Sequence, residues 1–179
     1  MKPIQLLLLL LGAVATLVAE DVWKPDNSPR SIPPGMFKLD PDLEVTVWAT
    51  SPQLYNPTNM DIDHEGRIWV TEGVNYRGNK GQRPAGDRVV VLQDTNGDGK
   101  CDQSHTFVQE TGFIAPLGIA VFNNVIYVSQ PPDILAYTDV NRDLKFDPAV
   151  DKREVILTGF NAINPVSYTH LTLPTNCVV

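Results

Sequence analysis

The sequence predicts an all-β protein made of repeated four-stranded units, and three observations carry that reading. Apolar and polar residues alternate in short runs, turns rich in Gly, Asn and Asp separate the runs, and no stretch shows helical periodicity. The chain also resembles itself: "RVVVLQDTNGDGKCD" (88–102) aligns with "DILAYTDVNRDLKFD" (133–147) at an offset of 45 residues. "NMDIDHEGRIWVTE" (59–72) aligns in turn with "PLGIAVFNNVIYVSQ" (116–130), each reading as strand, turn at "HEG" or "FNN", and strand. Each copy closes on a further strand, "HTFVQETGF" or "REVILTGF". A period of roughly 45 residues with four strands per copy is the pattern of a β-propeller blade. Propellers close with about four to eight blades, so two copies plus one extra strand read as an incomplete β-propeller. A β-sandwich is the alternative architecture, but it has no reason to repeat an acidic loop in register.

Taken in order, residues 1–19 read as a signal peptide: Lys2 precedes an apolar run from Leu6 to Ala19, shorter than the roughly 20 residues a membrane-spanning helix needs. An uncleaved anchor is the rival reading; once the leader is cut, no integral membrane segment remains. The protein is therefore expected to be exported, to the periplasm or cell envelope. Residues 20–42 hold five prolines and form an extended lead-in. "LEVTVWAT" (43–50) alternates strictly between Pro41 and Pro52 and predicts a strand. Residues 43–164 make up the propeller fragment, with "GVNYRGNKGQRPAGD" (73–87) inserted between the second and third strands of the first copy. Residues 165–179 carry no acidic or basic side chain and continue no pattern; they read as a non-native, adapter-like tail, from about Val166 onward.

The chain carries 14 Lys and Arg against 21 Asp and Glu, and without Lys2 of the leader 13 remain, a net charge of −8. That excess argues against nucleic acid and anionic membranes as partners. Cys101 and Cys177 form no CxxC or CxxCH motif, which excludes a zinc ribbon or an attached haem within this chain. No GxSxG, P-loop or Rossmann glycine pattern occurs.

The acidic loops are the candidate metal sites. Asp94, Asn96, Asp98 and Asp102 fall at positions 1, 3, 5 and 9 of the EF-hand spacing, Lys100 can offer its carbonyl at position 7, and Gly99 allows the sharp turn at position 6. Oxygen ligands in this number suit Ca²⁺. His105 stands where an EF-hand places a bidentate Glu, and no helices flank the loop, so the expectation is a single-turn loop of lower affinity; an Asp/Asn/Gly turn that binds nothing is the alternative. The second copy offers Asp139, Asn141, Asp143 and Asp147, but has Leu144 at the glycine position and Val150, beside Asp151, at position 12. Both loops join the third and fourth strands of their units. The opposite face collects the insertion, with Glu72, Asn75, Tyr76 and Arg77 as substrate-face candidates, alongside 111–116, 129–133 and 159–164. Long loops on a rigid scaffold are where binding concentrates, although a solvated loop with a local Glu–Arg pair explains the same residues. His64 and His105 lack any nucleophile or second ligand at a recognisable spacing, and Trp48, Trp69 and Tyr127 read as blade packing.

Residues 33–78, "PPGMFKLDPDLEVTVWATSPQLYNPTNMDIDHEGRIWVTEGVNYRG", resemble the start of a family of bacterial membrane-bound dehydrogenases. The propeller of that family is similar to quinoprotein glucose/sorbosone dehydrogenases. The resemblance covers roughly residues 30–164, and the acidic "DTNGDGKCD" fits it. It implies an N-terminal propeller of a larger exported oxidoreductase, with a downstream c-type haem domain in many members. The implied reaction oxidises a sugar or other alcohol, passing hydride to pyrroloquinoline quinone (PQQ) beside Ca²⁺. No catalytic or quinone-binding residue can be assigned: the family's histidine-rich stretch is expected just after "GFNAIN", where this chain runs into "PVSYTH", and His170 lies in the suspect tail. Whether this chain is itself an enzyme stays open; alone, the fragment is expected to be inactive. The alternatives are a noncatalytic, calcium-stabilised propeller module for binding or scaffolding, and a metal-dependent propeller lactonase.

Overall fold

Eight strands follow one another without a helix among the described residues, each four forming one antiparallel sheet. The structure, a computed structural model, describes residues 31–33, 35–76 and 81–160. The first sheet runs β1 (Pro57–Ile62), β2 (Ile68–Glu72), β3 (Arg88–Gln93) and β4 (Gln103–Gln109); the second runs β5 (Gly118–Phe122), β6 (Val125–Gln130), β7 (Asp133–Thr138) and β8 (Lys152–Thr158). In both, hydrogen-bonded order equals chain order, so each sheet is a meander of the kind the repeat predicts. Arg77 and the segments expected to be a leader and an adapter-like tail lie outside the described residues.

The sheets converge at their first strands. The Thr58 hydroxyl donates to Pro116 O at 2.5 Å, the Asn59 amide to Leu117 O at 3.3 Å, and the Val121 N–H to the Asp61 carboxylate at 2.7 Å. β1 lies against β5, while β4 and β8 make no comparable backbone approach. Strands converging at one end of the order and splaying at the other is the radial arrangement of propeller blades.

Between the sheets lies the main core, where Trp69, Val91 and Phe107 meet Ile126, Leu135 and Tyr137. Burying each such side chain contributes about 1.5–3 kcal/mol. Phe107 sits at the centre, edge-on to Trp69 with ring centroids at 5.1 Å and to Tyr137 at 6.2 Å, an arrangement that matches ring edge to ring face. β3, "RVVVLQ", is apolar without alternation because it is buried on both faces: Val89 and Val91 turn to the second sheet, Val90 and Leu92 to the opposite side.

Leu43–Thr50 departs from expectation, for it is not a strand. A strand needs a ladder, and among the described residues none runs beside this segment; its backbone link to the sheets is the Cys101 N–H donated to Trp48 O at 2.8 Å. Trp48 and Ala49 nonetheless pack on Val70, Val90, Leu92 and Cys101, while Leu43 is 63% exposed.

The repeat extends to backbone conformation in the acidic loops. Gly97 and Gly99 have φ of 74° and 80°, and 45 residues on Arg142 and Leu144 adopt 60° and 63°. Leu144 bears that strain because its side chain packs into the inter-sheet core beside Phe146; Arg142 offers only an exposed bond to Asn123 at 3.0 Å. Arg142→Gly is therefore expected to hold or raise stability by up to about 1 kcal/mol, whereas Leu144→Gly lowers it by about 2 kcal/mol through lost packing. Urea midpoints of the two variants at low micromolar concentration check the pair.

Candidate functional site

Glu72 ends β2 and is completely buried at the root of the insertion. Its carboxylate accepts a bidentate pair from Arg88 (Nε 2.7 Å, Nη2 3.0 Å), a bond from Arg83 Nη1 at 2.6 Å and one from the Tyr55 N–H at 2.8 Å. Both guanidiniums also lie near the Tyr55 ring, at 5.9 and 5.7 Å from its centroid. Two cations on one carboxylate, with every oxygen occupied, make the charge tolerable in a buried place. Glu72 is thus paired with arginines in a buried place, and they come from the far side of the insertion and the start of β3.

Asn75 is also buried and closes the insertion on itself. Its amide donates to Arg83 O at 3.0 Å, its carbonyl oxygen accepts from Arg83 N at 2.9 Å, and its own N–H reaches the Asp87 carboxylate at 3.1 Å. Asp87, fully buried, also accepts the Ala115 N–H at 2.7 Å. Burial pushes its carboxyl above the ordinary range, outweighing those N–H bonds and the Arg83 charge. Gly86 is required beside it, since a Cβ there would stand 1.8 Å from Glu110 O at a φ of 90°. Tyr76 is half-buried at the edge of this knot. Of the four substrate-face candidates, the structure brings Glu72 and Asn75 together as clamps of the loop. Gln130 takes the place of Glu72 in the second sheet; its amide donates to Gly112 O at 2.9 Å and its carbonyl oxygen is buried without a partner among the described residues.

The acidic loops lie at the opposite end of the sheets, joining β3 to β4 and β7 to β8 as expected. Asp94 accepts the N–H groups of Gly97 at 2.7 Å and Gly99 at 2.8 Å, Asn96 that of Asp98 at 2.8 Å, and Asp98 that of Lys100 at 2.9 Å. Asp102 takes both the N–H and the hydroxyl of Thr95. These oxygens face the loop's own amides, and among the described residues no group of three or more His, Cys, Asp or Glu is arranged to hold a metal ion. Desolvation alone would raise the Asp94 carboxyl, but the N–H bonds from Gly99, Gly97 and Asp98 together outweigh it and hold the group below its ordinary range. In the second loop Asp139 accepts Leu144 N at 2.9 Å and Asp143 N at 3.2 Å, Asp143 accepts Lys145 N at 2.9 Å, and Asp147 accepts Ala149 N at 2.9 Å. Asn141 donates its amide to Asp143 at 2.9 Å. Asp151 bridges Val140 N and Asp147 N at 2.8 and 2.7 Å. Both loops are self-capped turns, and the residues as placed do not form a calcium cage.

His105, at position 12 of the first loop, joins the sheets instead. Its Nε2 lies 3.1 Å from Leu144 O, tying the first sheet to the second loop. Burial, with a smaller push from Arg67, lowers its pKa, although the bond to Leu144 O works the other way. The folded chain keeps this ring neutral at a pH where the unfolded chain already takes up a proton. Stability should hence be full above about pH 6.5 and fall as pH drops through the window below it, and His105→Gln should flatten that slope in urea titrations between pH 5 and 8.

Asp63 was not singled out by the sequence. It is buried at the β1–β2 turn and receives Trp69 Nε1 at 2.9 Å and Arg67 Nε at 2.6 Å. Burial alone would raise its pKa, but the indole and guanidinium bonds outweigh it and hold the carboxyl low. The signal was present, as Asp-x-x-Gly-Arg at a hairpin is an Asx-type turn with a ready cation. His64, in the same turn, is exposed and 3.6 Å from Glu65; it faces no reactive group. Trp69 is core, and Tyr127 is partly exposed on the outer face of the second sheet.

Two four-stranded antiparallel sheets, stacked in register with their first strands together, define a partial, propeller-like β protein. The chain belongs to the family of a domain of unknown function, DUF7133, which matches residues 33–171. No curated protein matches it in sequence. Among solved structures it is similar to the iodide and calcium structures of Trichoderma reesei Carbohydrate-Active Enzymes Family AA12, each at 22% identity, with TM-scores of 0.44 and 0.45. The alignments cover 64% and 65% of this chain and 25% of those chains, so this chain spans about a quarter of their length.

Proposed function

We propose that this chain is the opening part of an exported, periplasmic or envelope-facing propeller dehydrogenase that oxidises a sugar or another alcohol with a quinone cofactor. The observation that supports the reading is the run from Pro33 to Gly78, whose resemblance to membrane-bound dehydrogenases falls on the extended lead-in and the opening strands of the first blade. PQQ would supply the hydride acceptor, and a c-type haem domain further along the polypeptide would carry electrons onward. The chain's contribution is scaffold: the Glu72–Arg83–Arg88 knot fixes the insertion on the face that collects the other long connections. No described residue is assigned to the quinone or to the substrate.

A second reading, a noncatalytic propeller module for binding or scaffolding, is favoured by one observation. Glu72, a substrate-face candidate, is saturated by four hydrogen bonds and sealed from solvent. Sequencing the uninterrupted gene separates the two. A CxxCH haem motif beyond residue 164 is the expected result, and an adhesion or anchoring domain in its place overturns the dehydrogenase reading.

Calcium enters the proposal only as a question of stability. Because Asp94 already ties three N–H groups of its turn, Asp94→Ala should lower the thermal midpoint equally in EDTA and in millimolar Ca²⁺. A loss confined to the calcium arm would show that the loop is held by an ion.

A further inference from the structure

The two acidic loops repeat one turn but differ at a pair of residues that decides its chemical durability. Asn96–Gly97 in the first loop becomes Asn141–Arg142 in the second, and Asn96–Gly97 is the single Asn-Gly pair in the chain. Asparagine is a labile residue, most of all before glycine, because no side chain on the following residue shields its backbone nitrogen from the asparagine Cγ. Gly97 has a φ of 74° in an exposed turn, and a Cβ added there meets only open space. Water and base therefore reach this bond. In the second loop the Arg142 side chain stands at the corresponding place, and Asn141 Nδ2, the nitrogen that would have to leave, donates to Asp143 at 2.9 Å.

Asp94 holds the reactive pair in check. Its Oδ1 accepts the Gly97 N–H at 2.7 Å and the Asp98 N–H at 3.3 Å, and its Oδ2 accepts the Gly99 N–H at 2.8 Å. Asn96 Oδ1 in turn accepts the Asp98 N–H at 2.8 Å. The bond from Gly97 keeps the proton on the nitrogen that would attack, and the Asn96–Asp98 bond turns the side-chain carbonyl toward residue 98 in an Asx turn. Cyclisation thus needs the turn to open. Thr95 to Lys100 are all exposed, so the turn opens locally while the sheets stay intact.

We propose that Asn96–Gly97 is a self-modification site that deamidates through a cyclic imide, at a rate set by the grip of Asp94 on the Gly97 N–H. When the turn opens, solvent hydroxide takes the Gly97 N–H proton, the freed nitrogen bonds to Asn96 Cγ, and Nδ2 leaves as ammonia after gaining a proton from water. Water then opens either carbonyl of the imide, leaving aspartate or isoaspartate at position 96. The sum is an amide and water giving a carboxylate and ammonium, with nothing oxidised or reduced. The product places one more negative charge between Asp94 and Asp98. The isoaspartate route also lengthens the backbone by a methylene, which carries the Gly97 N–H away from Asp94, so the β3–β4 turn does not close again. The second loop, with Arg142 at the critical place, keeps its asparagine.

Peptide mapping of the 179-residue chain after incubation at mildly alkaline pH tests the proposal, reading the mass gain of deamidation and enzymatic methylation of isoaspartate at positions 96 and 141. The comparators are a linear peptide of residues 94–102 and the variants Asp94→Ala and Arg142→Gly. Asn96 is expected to convert at least about tenfold more slowly in the chain than in the peptide, the factor of breaking a charge-assisted bond before the chemistry. Asp94→Ala should recover most of that difference, and Arg142→Gly should start conversion at Asn141, which the parent chain leaves intact. Equal rates in chain and peptide, or an Asp94→Ala chain no faster than the parent, overturn the proposal. So does an Asn141 that stays intact in Arg142→Gly, a variant that keeps Asp94 and is expected to stay folded, which makes this arm independent of how Asp94→Ala folds.

Discussion

Glu72→Ala is expected to destabilise the chain by about 3–5 kcal/mol, the range seen when one partner of a buried ion pair is removed. The variant takes the carboxylate away from Arg83, which is 5% exposed, from Arg88 and from the Tyr55 N–H. The insertion should loosen first, because Glu72 holds Arg83, to which Asn75 ties the near end of the loop. Glu72→Gln retains the shape and one acceptor, and should fall between the variant and the parent. Urea unfolding with an insertion-specific exchange readout checks both; a loss below about 1 kcal/mol for the alanine variant would mean that the clamp is ornamental.

Phe107→Ala should be as damaging for a different reason. Phe107 is 1% exposed and touches three aromatic rings, Trp69, Tyr137 and Phe146, from both sheets and the second acidic loop. Truncation leaves a cavity that rigid strands cannot close, at a cost of about 3–5 kcal/mol. The loss should also uncouple the sheets, so that β5–β8 exchanges faster than β1–β4. Uniform loss across all eight strands would argue that the sheets unfold as one unit rather than as neighbouring blades.

The fold was legible because its signals are local. Two-residue alternation, Asn- and Gly-bearing turns, and the in-register pair Asp94/Asp139 are written in the sequence, and β1–β8 fall where those signals place them. Leu43–Thr50 misled because alternation reports which faces could be buried, and a ladder additionally needs a neighbour. The partners of Glu72 were not legible either. The Asn75–Arg83 bonds fold the insertion back so that Arg83 and Arg88, distant in sequence, reach the Glu72 carboxylate. In the acidic loops the EF-like spacing is real, yet the same Asp and Asn pattern satisfies backbone N–H groups in a tight turn, and spacing alone does not choose between the two.

Whether the proposed longer protein is a quinone-dependent dehydrogenase is decided by dye reduction. The full-length protein is reconstituted with PQQ and Ca²⁺ and offered a panel of sugars and alcohols. Reduction with at least one of these substrates, vanishing when the quinone is withheld, is the expected outcome. A folded, reconstituted protein that reduces no dye with any member of the panel would contradict the dehydrogenase reading.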